Sequence, residues 1–399
     1  MNELDVLNGC DSLMLQQVEV LANINSGTYH LEGIQRVQNL LADWYAPLGG
    51  DVQWVPSDGQ SSVDDRGQVV HQPLGPTLVI SKRLDRRPRL LLCIHCDTVY
   101  GVDHPFQCCR RLDTNTLNGP GVIDAKGGLV IMLHALTALE RSPWADRIGW
   151  QVAINADEEI GSPGSVATLH RLAREADWGL LFEPRLPDGS MVSWRKGSGN
   201  FTLVVRGQAA HAGRDFGKGR NACVALSRLL VAVHELNNPA DPEFGEVTFN
   251  VGRMVGGGAV NVVPDLAVGR VNARVRTAAQ QHWAEAQLRR LVDQASLPGY
   301  QVELHGEFSS PPKMVDAKTE QLQRIIETCA QDLAMPIQWQ GSGGASDGNK
   351  FAAVGLGNID TLGPSGGEIH SDREFLLIDS LVPAAKLAAF VLFHLCRQA

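Results

Sequence analysis

Leu91-Leu92-Cys93-Ile94-His95-Cys96-Asp97-Thr98 is an apolar run that ends in a His-x-Asp pair. A near-continuous apolar stretch of this length reads as a strand buried on both faces, the kind found inside parallel sheets. Strand side chains alternate between two faces, so His95 and Asp97 leave on the same side. An imidazole with a carboxylate beside it suits a metal ligand whose orientation is fixed by an acid behind it. Cys93 and Cys96 also make a Cys-x-x-Cys, but no second such pair exists and an extended chain points them to opposite faces. Packing in a buried strand is the plainer reading of both.

Outward from that run, strand and helix patterns alternate. Residues 14–48 read as helical around a turn at Asn25-Ser26-Gly27-Thr28, and 76–80 as a strand. Residues 126–141 carry apolar side chains at Leu129, Ile131, Met132, Leu133, Leu136 and Leu139 and read as a helix. A strand over 149–156, a helix over 165–175 and a strand over 178–182 follow. This order predicts an α/β fold, an α/β/α domain around a mixed, mostly parallel sheet. Near Lys196-Gly197-Ser198-Gly199 the character changes. Strands over 200–207, 246–252, 265–276 and 300–307 with helices over 219–236 and 280–294 give the split β-α-β-β-α-β order of a ferredoxin-like α+β unit. After Pro311-Pro312 the alternation resumes and runs to a final helix near 378–397. Residues 1–195 and 309–399 are therefore expected to form one discontinuous catalytic domain, with 196–308 inserted as a lid.

At 399 residues the chain exceeds one ordinary core, which fits that division. Apolar residues at 44% and charged residues at 20% describe a globular protein rather than a disordered one. A net charge of -9 argues against nucleic acid, yet leaves room for a small anionic substrate held by local arginines. The acidic N-terminus, residues 1–11, lacks the basic and apolar regions of a secretory signal, and the scattered cysteines do not form a disulfide framework; a cytoplasmic location is expected. The apolar segment 384–396 is too short to span a bilayer, so no membrane partner is expected.

The remaining ligand-type residues lie far apart in sequence. Asp124 sits in Gly119-Pro120-Gly121-Val122-Ile123-Asp124-Ala125-Lys126, where by itself it would read as a helix cap. Asp157-Glu158-Glu159 closes one apolar strand, and Glu183-Pro184 closes another. His370 lies in Glu368-Ile369-His370-Ser371-Asp372 after a glycine-rich stretch. In open α/β sheets, ligands bind outside the carboxyl ends of strands, and His95, Glu159 and Glu183 each fall at such an end. Two histidines with three carboxylates suit a two-zinc site in which one carboxylate bridges metals roughly 3.5–4 Å apart. Gly341-Ser342-Gly343-Gly344-Ala345-Ser346-Asp347 lacks the glycine spacing of a dinucleotide loop and any P-loop ending.

In this order, His95-x-Asp97, Gly-Pro-Gly-x-x-Asp124, Glu158-Glu159, Glu183-Pro184 and His370-Ser371 resemble the zinc-dependent carboxypeptidase and aminoacylase family. That family includes glutamate carboxypeptidases, acetylornithine deacetylase and succinyl-diaminopimelate desuccinylase. The chain is most like its bacterial folate-cleaving glutamate carboxypeptidases, through Ile24 to Thr28, Pro47 to Gly50, Lys196 to Gly199, Gly207 to Gly213 and Asn261 to Pro264. The resemblance implies that His95 and Glu183 hold one zinc, Glu159 and His370 the other, and Asp124 bridges them, with Co²⁺ or Mn²⁺ as possible replacements. It implies Asp97 orienting His95, a cis Asp124–Ala125 peptide bond, and Glu158 as general base. It also implies a homodimer joined through the lids, in which His211 acts on the partner's site, and lid residues Asn261 and Arg276 that meet a substrate carboxylate. The implied activity is hydrolysis of an amide next to a free carboxylate, releasing glutamate-like residues from peptides or N-acyl conjugates. An N-acyl amino acid deacylase or desuccinylase would share every ligand, and relatives without metal serve as binding modules. Two departures bear on specificity: Arg274 stands where relatives often carry Asp, and the stretch before Asp347 lacks an arginine common in folate-cleaving relatives.

Overall fold

The structure, a computed structural model, describes residues 3–397. Met1 and Asn2 of the acidic N-terminus, and Gln398 and Ala399 at the end of the second catalytic segment, lie outside the described residues. Arg89–His95 is an inner strand of a six-stranded sheet, ordered Asp51–Val55, Thr77–Lys82, Gly149–Asn155, Arg89–His95, Trp178–Leu181 and Asn358–Ile359. Its two pairings are parallel, as is that of Trp178–Leu181 with Asn358–Ile359, while Asp51–Val55 and Thr77–Lys82 join antiparallel. The sheet is mixed and mostly parallel, as the strand patterns predict. The edge strand Asp51–Val55 is an addition: its mostly exposed Asp-Val-Gln-Trp-Val pattern carries no core signal.

The alternation of side chains along Arg89–His95 builds the layers. Leu90, Leu92 and Ile94 pack into a core shared with the helices Asp11–Ala22, Leu31–Tyr45, Gly127–Glu140, Ala317–Asp332 and Leu381–Arg397. Leu91 and Cys93 face the opposite way, against Val166–Glu175 and Asp347–Ala353. An α/β/α sandwich results. Two segments, Val122–Glu140 and Ile378–Arg397, are long and apolar enough to cross a membrane, but they are 94% and 61% buried within this fold. They are apolar because protein surrounds them.

Gly197–Arg206 opens a second sheet, completed by Thr248–Gly256, Leu266–Val275 and Gln301–Ser310. All its pairings are antiparallel, and Gly197–Arg206 and Leu266–Val275 are central. The helices Ala222–Glu235 and Ala278–Ala295 contribute to a separate core with this sheet, giving the ferredoxin-like arrangement of the lid. A hairpin, Gln60–Val63 with Val69–Gln72, reaches from the first domain to this sheet. There Asp65 pairs with Arg270 at 2.7 Å and with Arg253. The chain enters and leaves the lid through Arg195 and Lys313, whose backbones exchange two hydrogen bonds of 3.1 Å. Asp360 accepts from both side chains, from Arg195 Nε at 2.8 Å and Nη2 at 3.0 Å and from Lys313 Nζ at 2.9 Å.

Candidate metal centre

The ends of the central strands converge on a cleft of about 440 Å³ between the two domains. Asp124, Glu158, Glu159, Glu183 and His370 line it, with Ser198, Asn200, Asn272 and Arg274 on the lid side. His95 lies beneath, 1% exposed, at the end of its strand. Asp124 occupies the centre: its Oδ1 is 3.1 Å from His95 Nε2, and its Oδ2 is 3.3 Å from His370 Nε2. Glu183 Oε2 lies 3.9 Å from His95 Nε2, and Glu159 Oε2 lies 3.2 Å from His370 Nε2. One donor atom each from His95, Asp124 and Glu159 fall within 4.8 Å of one another.

These spacings suit metal. Donors sharing a tetrahedral zinc at about 2.0–2.1 Å lie roughly 3.3 Å from one another. Asp124 offers one oxygen to each of two imidazoles, and each imidazole has a further carboxylate beside it. Nitrogen and carboxylate donors without thiolate fit zinc, cobalt or manganese.

Asp97 is fully buried below the donors and ties three elements together. Its backbone carbonyl is 3.0 Å and its Oδ1 3.3 Å from His95 Nδ1, which leaves Nε2 to face the cleft. Its carboxylate accepts from Thr28 Oγ1 at 2.7 Å and from the backbone N–H groups of Glu158 and Glu159 at 3.2 and 3.3 Å. The same acid thus sets the histidine's tautomer and the turn that presents both glutamates. Glu374 does the equivalent for Asp124. Its carboxylate accepts from the N–H groups of Gly121, Ile123 and Asp124 at 3.1–3.2 Å and from Tyr100 Oη at 2.8 Å. The Asp124–Ala125 peptide bond is cis. Nothing in Ser371-Asp372-Arg373-Glu374 separates Glu374 from a solvated acid, so sequence reading passes over it.

Crowding of acids in a dry site dominates the electrostatics. Burial, reinforced by Asp124, pushes Glu159 up to about 7. Burial pushes Glu183 up to about 8, against the pull of His95. Burial and then Glu183 raise Glu158 well above the usual carboxylate range. His370, hydrogen-bonded to Asp124 and Glu159, rises to about 10. Burial opposes ionisation of Asp124 too, but the hydrogen bonds from His370 and His95 outweigh it and hold the carboxyl well below its ordinary value. Divalent cations would replace the shared protons and relieve the same repulsion.

The lid residues behave differently. His211 and Asn261 are exposed at a small ribbon, Ala210–His211 with Val262–Val263, and neither lines the cleft. His211 Nδ1 accepts from the N–H groups of Gly213 and Arg214 at 3.1 and 3.2 Å, so neutral His211 carries its proton on Nε2. Arg276, expected at the substrate carboxylate, also stands outside the cleft lining. Its guanidinium stacks 3.5 Å over the Trp194 ring. Trp194 also constrains the stretch before Asp347. A Cβ on Gly341 would lie 1.9 Å from that indole, so only glycine fits beneath it. The arginines that do line the cleft are Arg185, Arg195 and Arg274.

Residues 91–394 match Peptidase family M20/M25/M40. The chain belongs to this family, and with it to the hydrolases. Carboxypeptidase G2 of Pseudomonas sp. is 28% identical over 395 residues, covering 96% of this chain and 89% of that one. A probable carboxypeptidase of Aspergillus terreus is 35% identical over 241 residues; the match takes in 57% of this chain but only 52% of the relative, so it spans about half of that protein's length. Among solved structures, the M20 family metallo-carboxypeptidase Sso-CP2 of Sulfolobus solfataricus superposes with a TM-score of 0.74 at 17% identity, covering 96% of this chain and 99% of that one. The dinuclear metal binding peptidase YxeP of Bacillus subtilis superposes with a TM-score of 0.66 at 15% identity, covering 96% and 98%. Both share the fold of this M20 peptidase.

Proposed function

We propose that this M20 peptidase is a dinuclear zinc hydrolase of amide bonds next to a free carboxylate, a carboxypeptidase that releases glutamate-like residues from peptides or N-acyl conjugates. The observation that carries the reading is Asp124, with one oxygen toward His95 and Glu183 and the other toward His370 and Glu159. His95 and Glu183 would hold one cation, Glu159 and His370 the other, and Asp124 both. Bound divalent cations would supply Lewis acidity, polarising the amide carbonyl and lowering the pKa of water. Asp97 and Glu374 keep the donors oriented. Glu158, in the same cleft with its turn pinned to Asp97, takes a proton from the attacking water on its carboxylate and returns it to the departing amide nitrogen. The names of Carboxypeptidase G2 and of the dinuclear peptidase YxeP support the reaction and the metal count.

His211 would act in a second subunit, its Nε2–H donating to the carbonyl oxygen as that oxygen gains charge. Its exposure, and its distance from its own cleft lining, support a dimer joined through the lids. All eight cysteines are free, which supports the cytoplasm as the compartment; fractionation of the source cells checks this.

The test is metal content with turnover. Purified protein should carry two divalent ions per chain, lose activity to a chelator and regain it with Zn²⁺, Co²⁺ or Mn²⁺. N-acyl-glutamates and folate-type conjugates should be cleaved faster than acetyl-ornithine or succinyl-diaminopimelate. The reverse preference would make it a deacylase, and a chain that takes up no metal would be a binding module.

A further inference from the structure

The cleft holds more positive charge than its own acids use. Arg195 is committed to Asp360 through two hydrogen bonds of 2.8 and 3.0 Å. Glu368, the remaining acid of the lining, pairs with Arg373 at 2.9 Å. Arg185 and Arg274 are left without a carboxylate among the described residues. Arg274, on the lid strand Leu266–Val275, donates only to neutral oxygens: Asn272 Oδ1 at 2.9 Å and the Gly343 carbonyl at 3.4 Å. Arg185 comes from the opposite domain, two residues past Glu183, and its Nη2 is buried with no acceptor among the described residues. Its position is fixed by Pro184 and by its own N–H, which donates to the Pro364 carbonyl at 3.0 Å.

A half-buried guanidinium with one buried, unpartnered nitrogen and no counter-charge is costly. A fold that keeps one at the mouth of a reactive cleft holds it for an anion that arrives with the substrate. The planar fork of arginine suits a carboxylate, which it grips through two parallel hydrogen bonds. We infer that Arg185 is the residue that binds a carboxylate of the substrate, with Arg274 taking a second from the lid, so that the residue released is a dicarboxylic amino acid. The inference rests on the hydrolase reading above and names the specificity of the same cleft. It replaces Arg276, whose guanidinium is engaged by Trp194. Because Arg185 is joined to Glu183 through one proline, the bound carboxylate would be set at a fixed offset from the donors that face the scissile amide.

Arg185→Met, Arg185→Lys and Arg274→Met are compared with the wild type on N-benzoyl-L-glutamate, N-benzoyl-L-glutamine and N-benzoyl-L-alanine. L-glutamate binding is measured separately by calorimetry. Arg185→Met should raise KM for the glutamate conjugate about 10- to 100-fold with kcat within about threefold, and weaken L-glutamate by a similar factor. Arg185→Lys should recover part of both. Arg274→Met should shrink the preference for the glutamate over the glutamine conjugate. A purely packing role for Arg185 would lower thermal stability and leave Arg185→Lys no better than Arg185→Met in KM and L-glutamate binding, which overturns the inference. Unchanged KM and unchanged L-glutamate affinity in Arg185→Met also overturn it, while leaving the hydrolase intact. If the metal-loaded wild type cleaves none of the conjugates, the hydrolase reading fails instead. The calorimetry then decides alone: L-glutamate bound by the wild type and lost in Arg185→Met upholds the subsite, and any other result removes it.

Discussion

Residue by residue, three of the donors were legible because each ends an apolar run, where a charge has no reason to sit unless something neutralises it. His95, Glu159 and Glu183 announce themselves in that way, and the structure gathers them with Asp124 and His370. Glu374, Arg185 and the Trp194 stack were not legible, because their roles come from contacts between residues far apart in the chain rather than from local pattern. Glu158 separates chemistry from assembly. Glu158→Gln should retain two metals and the wild-type melting temperature while turnover falls on the order of 10²–10⁴-fold, measured by metal analysis beside steady-state kinetics; near-normal turnover would remove it as the base. His134 tests the core. Its Nε2 donates to Gln17 Oε1 at 2.7 Å, and burial lowers its pKa from 6.5 to about 4. The unfolded chain therefore takes up this proton first as pH falls, so the contribution of neutral His134 is complete above pH 6.5 and drains away toward pH 4. Between pH 7 and pH 5 the wild type should lose about 2 kcal/mol that His134→Gln does not lose, read from urea unfolding at the two pH values.

At the level of elements, period and burial made the central strands and their helices readable, since a strand inside a parallel sheet is apolar throughout. The edge strand Asp51–Val55 and the hairpin Gln60–Val63 with Val69–Gln72 escaped because most of their residues stay exposed or half-buried and so carry no core pattern. What sequence pattern cannot give is how tightly two elements approach. Gly128 opens the helix that follows Asp124, and a Cβ there would lie 2.1 Å from the Phe182 carbonyl oxygen, one residue before Glu183. That obstacle is backbone and cannot swing aside. Gly128→Ala should lift the helix from the strand and spread the donors at its two ends, costing about 1–3 kcal/mol of stability and weakening metal binding by a larger factor than Glu158→Gln does. Unfolding curves and metal titration on the two variants make the comparison; equal metal affinity would mean that the helix repacks without moving Asp124.

For the whole molecule, the question is what brings the lid's residues to chemistry. Both segments that connect the lid hang from Asp360, whose buried carboxylate holds Arg195 and Lys313 together, and the hairpin carrying Asp65 braces the lid sheet at a second place. Mounted there, it offers Asn200, Asn272 and Arg274 to its own cleft but leaves His211 and Asn261 on the outside. Its strand Thr248–Gly256 is a free sheet edge with Val251 and Met254 exposed, and Val224 and Val231 are exposed on the adjacent helix. A polar-rimmed edge with apolar side chains invites a second copy of the same sheet, related by a twofold axis. In such a dimer each cleft would be completed by the partner subunit, and the two contributions can be separated genetically. Glu158→Gln and His211→Ala proteins should each be nearly inactive alone. Mixed in equal amounts and allowed to exchange, half the dimers are hybrid, and each hybrid has one cleft with both defects and one with neither. Activity should then recover to about a quarter of wild type. Recovery that fails although mass spectrometry shows hybrid dimers would place His211 in its own subunit's chemistry or in none, and a protein that stays monomeric at assay concentration would remove the second copy altogether.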